Sequence, residues 1–220
     1  MPLIKNQKII METEREFNYD KASLTNCRGA EEYQKDLGFD IETMKGKKVL
    51  DIGAGGGKFQ KEAKERGVNV ISIDPSYDFT NVSDEKKNDR ENRLDNYNKK
   101  YVEMKLSKEP GWKKNKVAAV NEALPFKENS FDFVLANYSS FHYLFSNYSS
   151  IEKGIDMAFL MLEEIYRVLK PGGEAGLELQ ETVFGNDIAE GFNKKHPETG
   201  CQFNSWYNSI VFKKPLEISE

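Results

Sequence analysis

Histidine and cysteine are scarce in this sequence. Its 220 residues hold two of each, His142, His196, Cys27 and Cys201, and none stands at the spacing of a metal-ligand or redox motif. A dedicated zinc site would lack its usual ligands, and the two thiols read as reduced structural cysteines. Long apolar runs are missing too. None approaches the roughly 20 residues that a membrane helix needs, and Met1-Pro2-Leu3-Ile4-Lys5 passes into charge rather than an apolar stretch. The expectation is a cytoplasmic protein with no membrane partner. Nor is there an excess of positive charge. Lys and Arg total 32 against 36 Asp and Glu, a net of -4, which is not the footprint of a protein held mainly by nucleic-acid phosphates.

What is present suffices for a core. Hydrophobic residues make up 38% and aromatics 12% of a length that suits one domain, 1–220. Two short apolar runs, Lys48 to Ile52 and Val68 to Ile73, flank a segment from Lys58 to Arg66 that reads as a helix closed by Gly67. Strand, helix, strand is the order of a βαβ unit in a parallel sheet. Val117 to Val120 and Phe131 to Ala136 read as further buried strands. Ile151, Ile155, Ala158, Leu162, Ile165 and Leu169 then form a helical stripe that stops at Lys170-Pro171-Gly172-Gly173. A fifth strand follows over Ala175 to Leu179. A short helix around Ile188 to Lys195 and two extended pieces, Gln202 to Trp206 and Ser209 to Lys213, predict an antiparallel hairpin at the sheet edge. The fold expected is α/β, mostly parallel, with helices on both faces.

Two regions lie outside this alternation. Residues 1–46 form an N-terminal extension or lid, with a helix predicted over Ala30 to Leu37 and ended by Gly38. Residues 84–116 carry 11 Lys or Arg and 7 Asp or Glu, and read as a charged helical insertion between strands two and three.

The loop Gly53-Ala54-Gly55-Gly56-Gly57-Lys58 joins the first strand to its helix, where backbone N–H groups can approach a ligand without Cβ interference. A triphosphate-binding loop would need glycine at 52 and Ser or Thr at 59, but Ile52 and Phe59 stand there. A dinucleotide fingerprint starting at Gly53 wants glycine or alanine where Lys58 stands, which weakens an NAD-dependent oxidoreductase without excluding it. Asp51, just before the loop, repels a pyrophosphate but attracts an ammonium or sulfonium group. Asp74 closes the second strand, where its two oxygens can accept from both hydroxyls of a ribose. The pair points to a ribose-bearing ligand with positive charge.

These residues resemble the class I S-adenosylmethionine-dependent methyltransferases, and among them the small-molecule branch that includes the quinone-biosynthesis C-methyltransferases. The resemblance runs from about Lys47 to Leu179. It rests on Val49 to Gly57, on Ile73-Asp74, on Leu124-Pro125-Phe126 with Asn129 to Asp132, and on Arg167 to Gly173. It implies a Rossmann-like, seven-stranded sheet with its last strand antiparallel, S-adenosylmethionine as cofactor, and methyl transfer to a small or medium-sized acceptor. Gly53, Ala54 and Gly55 would pass under the methionine part, with Asp51 holding that end. Asp74, with Pro75 beside it, would hold the ribose, and Asn137 would reach the cofactor through its backbone. At the adenine end the family has an acidic or amide residue and then a small one, where this chain has Val120 and Asn121. A relative that kept the fold as a non-catalytic binding protein is the alternative.

For the acceptor, the aromatic segment after strand four is the candidate wall, with Tyr138, His142 and Tyr143 as binding residues. In-line displacement needs alignment and exclusion of water more than a dedicated base, so no catalytic residue is assigned. The segment Asn137 to Ser140 contains neither the prolines of amino-directed DNA methyltransferases nor a cysteine nucleophile, which argues against nucleic-acid bases as acceptors.

Overall fold

The structure, a computed structural model, describes residues 28–74, 115–117, 123–139, 150–179 and 182–216. Their elements run α1 (Ala30–Leu37), β1 (Lys48–Ile52), α2 (Lys58–Glu65), β2 (Asn69–Ile73), β3 (Lys116–Val117), β4 (Phe131–Ala136), α3 (Ile151–Val168), β5 (Leu169–Glu178), α4 (Gly185–Lys195), β6 (Gln202–Asn204) and β7 (Ser209–Lys213), with short 3-10 turns between some of them. The strands form one seven-stranded sheet in the order β3-β2-β1-β4-β5-β7-β6. Strands β1 to β5 pair in parallel, and β7 pairs antiparallel with both β5 and β6. The expected parallel sheet with a final antiparallel strand and an edge hairpin is what these pairings form.

The apolar runs form strands because both faces of the sheet are covered. In β1, Leu50 and Ile52 pack on α3 and α4 through Ala158, Leu162, Ile165, Ile188 and Phe192. Val49 points the other way, toward α1 and α2, with Tyr33, Leu37, Phe59 and Ala63. Burying a side chain such as Phe59 or Leu162 fully contributes about 1.5–3 kcal/mol, and both are fully buried. Polar contacts anchor the helices as well. Ser150 caps α3 by accepting from the Lys153 N–H at 3.3 Å. Glu32 accepts from the Gly29 N–H at 2.8 Å, and Glu62 of α2 accepts from the Ala30 N–H at 2.7 Å. Lys58 bridges the same two carboxylates, 3.3 Å from Glu32 and 3.8 Å from Glu62. The lysine that spoils the dinucleotide fingerprint is therefore the residue that ties α1 to the start of α2.

Some boundaries differ from the expectation. Strand β5 begins at Leu169, directly after α3, and not at Ala175. Leu169 pairs with Phe131 and Glu174 with Phe133, so Lys170 to Gly173 bulge out of the ladder between two paired positions. Gly173 is needed there, since a Cβ would stand 2.9 Å from the Lys170 carbonyl and 3.0 Å from that of Asp132. Helix α4 starts at Gly185, three residues before the predicted Ile188. Ile151 does not join the buried stripe of α3; it is exposed at the first turn, and Gly154 lies in the core instead. Strand β3 takes Lys116, the last residue of the expected insertion, and the remaining predicted strand residues 118–120 lie outside the described residues.

Two of the motifs behind the resemblance turn out to be architectural. At the start of β4, the Asp132 carboxylate accepts from the Lys48 N–H and from Lys170 Nζ, both at 2.8 Å. Burial opposes its ionisation, but those bonds and the charges of Lys170 and Lys47 outweigh it and hold the carboxyl below the usual aspartate range. Arg167 on α3 donates to the carbonyls of Phe126 at 2.7 Å and Leu124 at 3.0 Å and pairs with Glu164. Glu164 in turn accepts from the Leu124 N–H at 2.9 Å. The Leu124-Pro125-Phe126 and Arg167 motifs are thus one clamp.

Candidate functional site

The C-terminal ends of β1, β2, β4 and β5 lie side by side and carry the residues singled out by sequence. Asp51 is fully buried in β1. Its Oδ1 accepts from the Tyr33 hydroxyl at 2.6 Å and its Oδ2 from the Ser72 hydroxyl at 3.4 Å. Tyr33 is held for this by stacking on Phe59, with ring centroids 4.1 Å apart and 6° between the planes. The chain then turns through Gly53 and Gly55, both at positive φ, 69° and 49°. The Gly53 and Ala54 N–H groups donate to the Ile73 carbonyl at 2.9 and 3.1 Å. A Cβ on Gly53 would stand 2.2 Å from that of Ser139, so the loop and the residues after β4 meet backbone to side chain. Asp74, partly exposed, accepts from the Gly55 N–H at 2.8 Å. The carboxylate that ends β2 and the glycine loop that follows β1 therefore form one rim.

Past β4, Asn137 is buried and donates through Nδ2 to Asp36 of α1 at 3.0 Å. Tyr138 has φ 48°, a conformation that a bulky side chain adopts only where its surroundings enforce it. Its N–H donates to Glu178 at the end of β5 at 3.2 Å, and its ring lies 3.4 Å from the Arg28 guanidinium, centroid to Cζ. Arg28 also stands 3.7 Å from Asp36. Burial pushes the Glu178 carboxyl up to about 7, with the nearby Asp36 charge adding to it and the Tyr138 N–H and Arg28 opposing it.

Of the twelve residues expected at the site, Asp51, Gly53, Ala54, Gly55, Asp74, Asn137 and Tyr138 are brought together here. Pro75, Val120, Asn121, His142 and Tyr143 lie outside the described residues, as does most of the 84–116 segment. Sequence reasoning missed Tyr33, Asp36 and Ser72. A signal for Tyr33 exists, since it is the polar-tipped member of the buried Ala30, Tyr33, Leu37 stripe. Among the described residues no cluster of His, Cys, Asp and Glu is arranged to hold a metal ion. No helix there is long and apolar enough to cross a membrane. Cys201 is buried and free, its thiol pushed up to about 12 by burial.

A family model for a methyltransferase domain matches residues 50–177, more than half of the chain. The chain belongs to the methyltransferase-domain family. That membership implies S-adenosylmethionine as the cofactor. No curated protein matches the sequence significantly. Among solved structures, a Methanosarcina mazei S-adenosylmethionine-dependent methyltransferase is similar at 18% identity, covering 78% of this chain and 93% of its own, with a TM-score of 0.42. A Galdieria sulphuraria protein assigned as a sarcosine dimethylglycine methyltransferase is 20% identical, covering 62% of this chain and 40% of its own, at 0.35. A Mesorhizobium loti S-adenosylmethionine-dependent methyltransferase is 17% identical, covering 65% and 51%, also at 0.35. This chain spans about half or less of the length of the last two, and all three are distant likenesses.

The residues present suit the cofactor. The loop turns at positive φ and offers its backbone, and a carboxylate rather than a basic side chain closes β2. The Ser139 hydroxyl, buried against Gly53, has no hydrogen-bond partner among the described residues. A polar ligand on the loop is the kind of group that such an atom awaits.

Proposed function

We propose that this methyltransferase alkylates a small or medium-sized acceptor, in the manner of the small-molecule branch, from one cytoplasmic domain spanning 1–220. Residues 1–46 serve as its helical extension, and 84–115 as the charged insertion between β2 and β3. When bound, S-adenosylmethionine supplies an electrophilic methyl group on a sulfonium.

The chain's own residues do the rest by holding and aligning. Gly53, Ala54 and Gly55 lend backbone to the methionine end, and the carboxylate of Asp51, fixed by Tyr33 and Ser72, sets a negative field beneath it. Asp74 takes the ribose hydroxyls, with Pro75 beside it, Val120 and Asn121 serve the adenine end, and Asn137 reaches the cofactor through its backbone. Tyr138, His142 and Tyr143 wall the acceptor. No residue is assigned the role of a catalytic base, because alignment and exclusion of water carry most of an in-line displacement.

The observation that carries this reading is the hydrogen bond from the Gly55 N–H to Asp74, which joins the loop and the carboxylate into a single rim. Methyl-labelled S-adenosylmethionine incubated with the protein and a fractionated cell extract tests the acceptor class. Label is expected in the small-molecule fraction. Label confined to protein or RNA would overturn the small-acceptor reading.

A further inference from the structure

The N-terminal end of α1 inserts a cation of its own into the acceptor side. The Arg28 guanidinium lies on the Tyr138 ring at 3.4 Å, within the range in which a cation is attracted by the ring quadrupole. Asp36 stands 3.7 Å from it, and Glu178 is close enough for the Arg28 charge to favour the ionised carboxylate. Aromatic face plus carboxylates is the chemistry that recognises an ammonium or guanidinium group. Three further features mark this as a site and not a chance surface pair. Tyr138 is held at positive φ by a site whose other walls, Glu178 and Asn137, are buried. Tyr138 as a residue keeps 37% exposure with Arg28 in place, so the pair lies at the molecular surface. Ser209 sits directly across the β5–β7 ladder from Glu178, on the same side of the sheet, with a buried hydroxyl that has no partner among the described residues. The site also adjoins the glycine loop, because Ser139, the residue after Tyr138, is the one that packs on Gly53.

We infer that the Tyr138 ring with Asp36 and Glu178 is a binding site for an organic cation, the ammonium or guanidinium end of the acceptor, and that Arg28 fills it as an internal stand-in. Cation binding is a property of these three residues alone. Its assignment to the acceptor rests on the methyltransferase reading. Arg28 is tethered to the site, so it competes as a ligand at high effective concentration. An incoming cationic acceptor displaces it, whereas a neutral or anionic molecule of the same size does not.

Calorimetric titration of the full chain with n-butylguanidinium tests this, with n-butylammonium as a second probe and n-butanol and butyrate as controls. S-adenosylhomocysteine is titrated in parallel. Arg28→Ala is expected to bind the cations at least about tenfold more tightly than the unaltered chain, by removal of the tethered competitor. Adding Glu178→Gln or Asp36→Asn to that variant is expected to remove most of the gain. Arg28→Gln, with a similar stem and no charge, serves if Arg28→Ala does not fold. Equal affinity in all variants, or butanol binding as well as the cations, would overturn the site. Cation binding without S-adenosylhomocysteine binding would leave the site standing and overturn its acceptor role. S-adenosylhomocysteine binding without cation binding would overturn the site and leave the methyltransferase reading intact.

Discussion

The Tyr33 hydroxyl donates to Asp51 Oδ1 at 2.6 Å, so a helix that precedes the sheet reaches the carboxylate beneath the glycine loop. Helix α1 is consequently part of the site, contributing Tyr33 to Asp51, Asp36 to Asn137 and, from just before its start, Arg28 to Tyr138. Tyr33→Phe keeps the stack on Phe59 but leaves a buried carboxylate one donor short. The expected cost is about 1–3 kcal/mol, read from chemical denaturation at neutral pH. A change below about 0.5 kcal/mol, the range of ordinary surface substitutions, would mean that Tyr33 does not support Asp51.

Arg167 makes the Leu124-Pro125-Phe126 turn and the end of α3 into one body. A lysine there keeps the charge but cannot reach two carbonyls and Glu164 together. Arg167→Lys is expected to destabilise the fold by about 1.5–3 kcal/mol, since hydrogen bonds to a charged group are lost and acceptors are left unmet. Thermal melts of the two proteins give the comparison. An unchanged midpoint would show that the turn is held by other contacts.

Much of the sheet was legible because it is buried on both faces. Lys48 to Ile52 and Phe131 to Ala136 are short, mostly apolar runs bounded by turn residues, and the strands have those limits. Leu169 to Gly173 was not legible, because Pro171-Gly172-Gly173 signals a turn, while the chain bulges there and stays in the ladder. Ile151 fits the helical period yet lies in the first turn, beyond the reach of the sheet. Asp51 stood out because it adjoins the glycine loop in sequence, and Asp74 because the strand-helix-strand pattern sets it at the end of the next strand, 19 residues after Gly55. Tyr33 with Asp51 and Asp36 with Asn137 did not, since 18 and 101 residues separate them and only the packing of α1 brings them together.

Glu178 gives stability a pH dependence of definite sign. Its carboxyl is raised from 4.5 to about 7, so between those values the folded chain holds a proton that the unfolded chain releases. Stability therefore falls as pH rises through this window and levels off above about 7. The limiting slope is about 1.4 kcal/mol per pH unit, and solvent at the rim of the site makes the real one shallower. Glu178→Gln is expected to match the unaltered protein near pH 5 and to exceed it near pH 8. Parallel curves for the two proteins, from denaturation at several pH values, would contradict the assignment.

The central claim is that the Gly53 loop and Asp74 bind a sulfur nucleoside. Calorimetric titration with S-adenosylhomocysteine, with NADH as control, tests it most directly, in the unaltered chain and in Asp74→Ala. Saturable binding of S-adenosylhomocysteine, no binding of NADH, and an affinity at least about tenfold weaker, or about 1.4 kcal/mol, in the variant are expected. Binding of NADH in place of S-adenosylhomocysteine, or an affinity indifferent to Asp74, would contradict it.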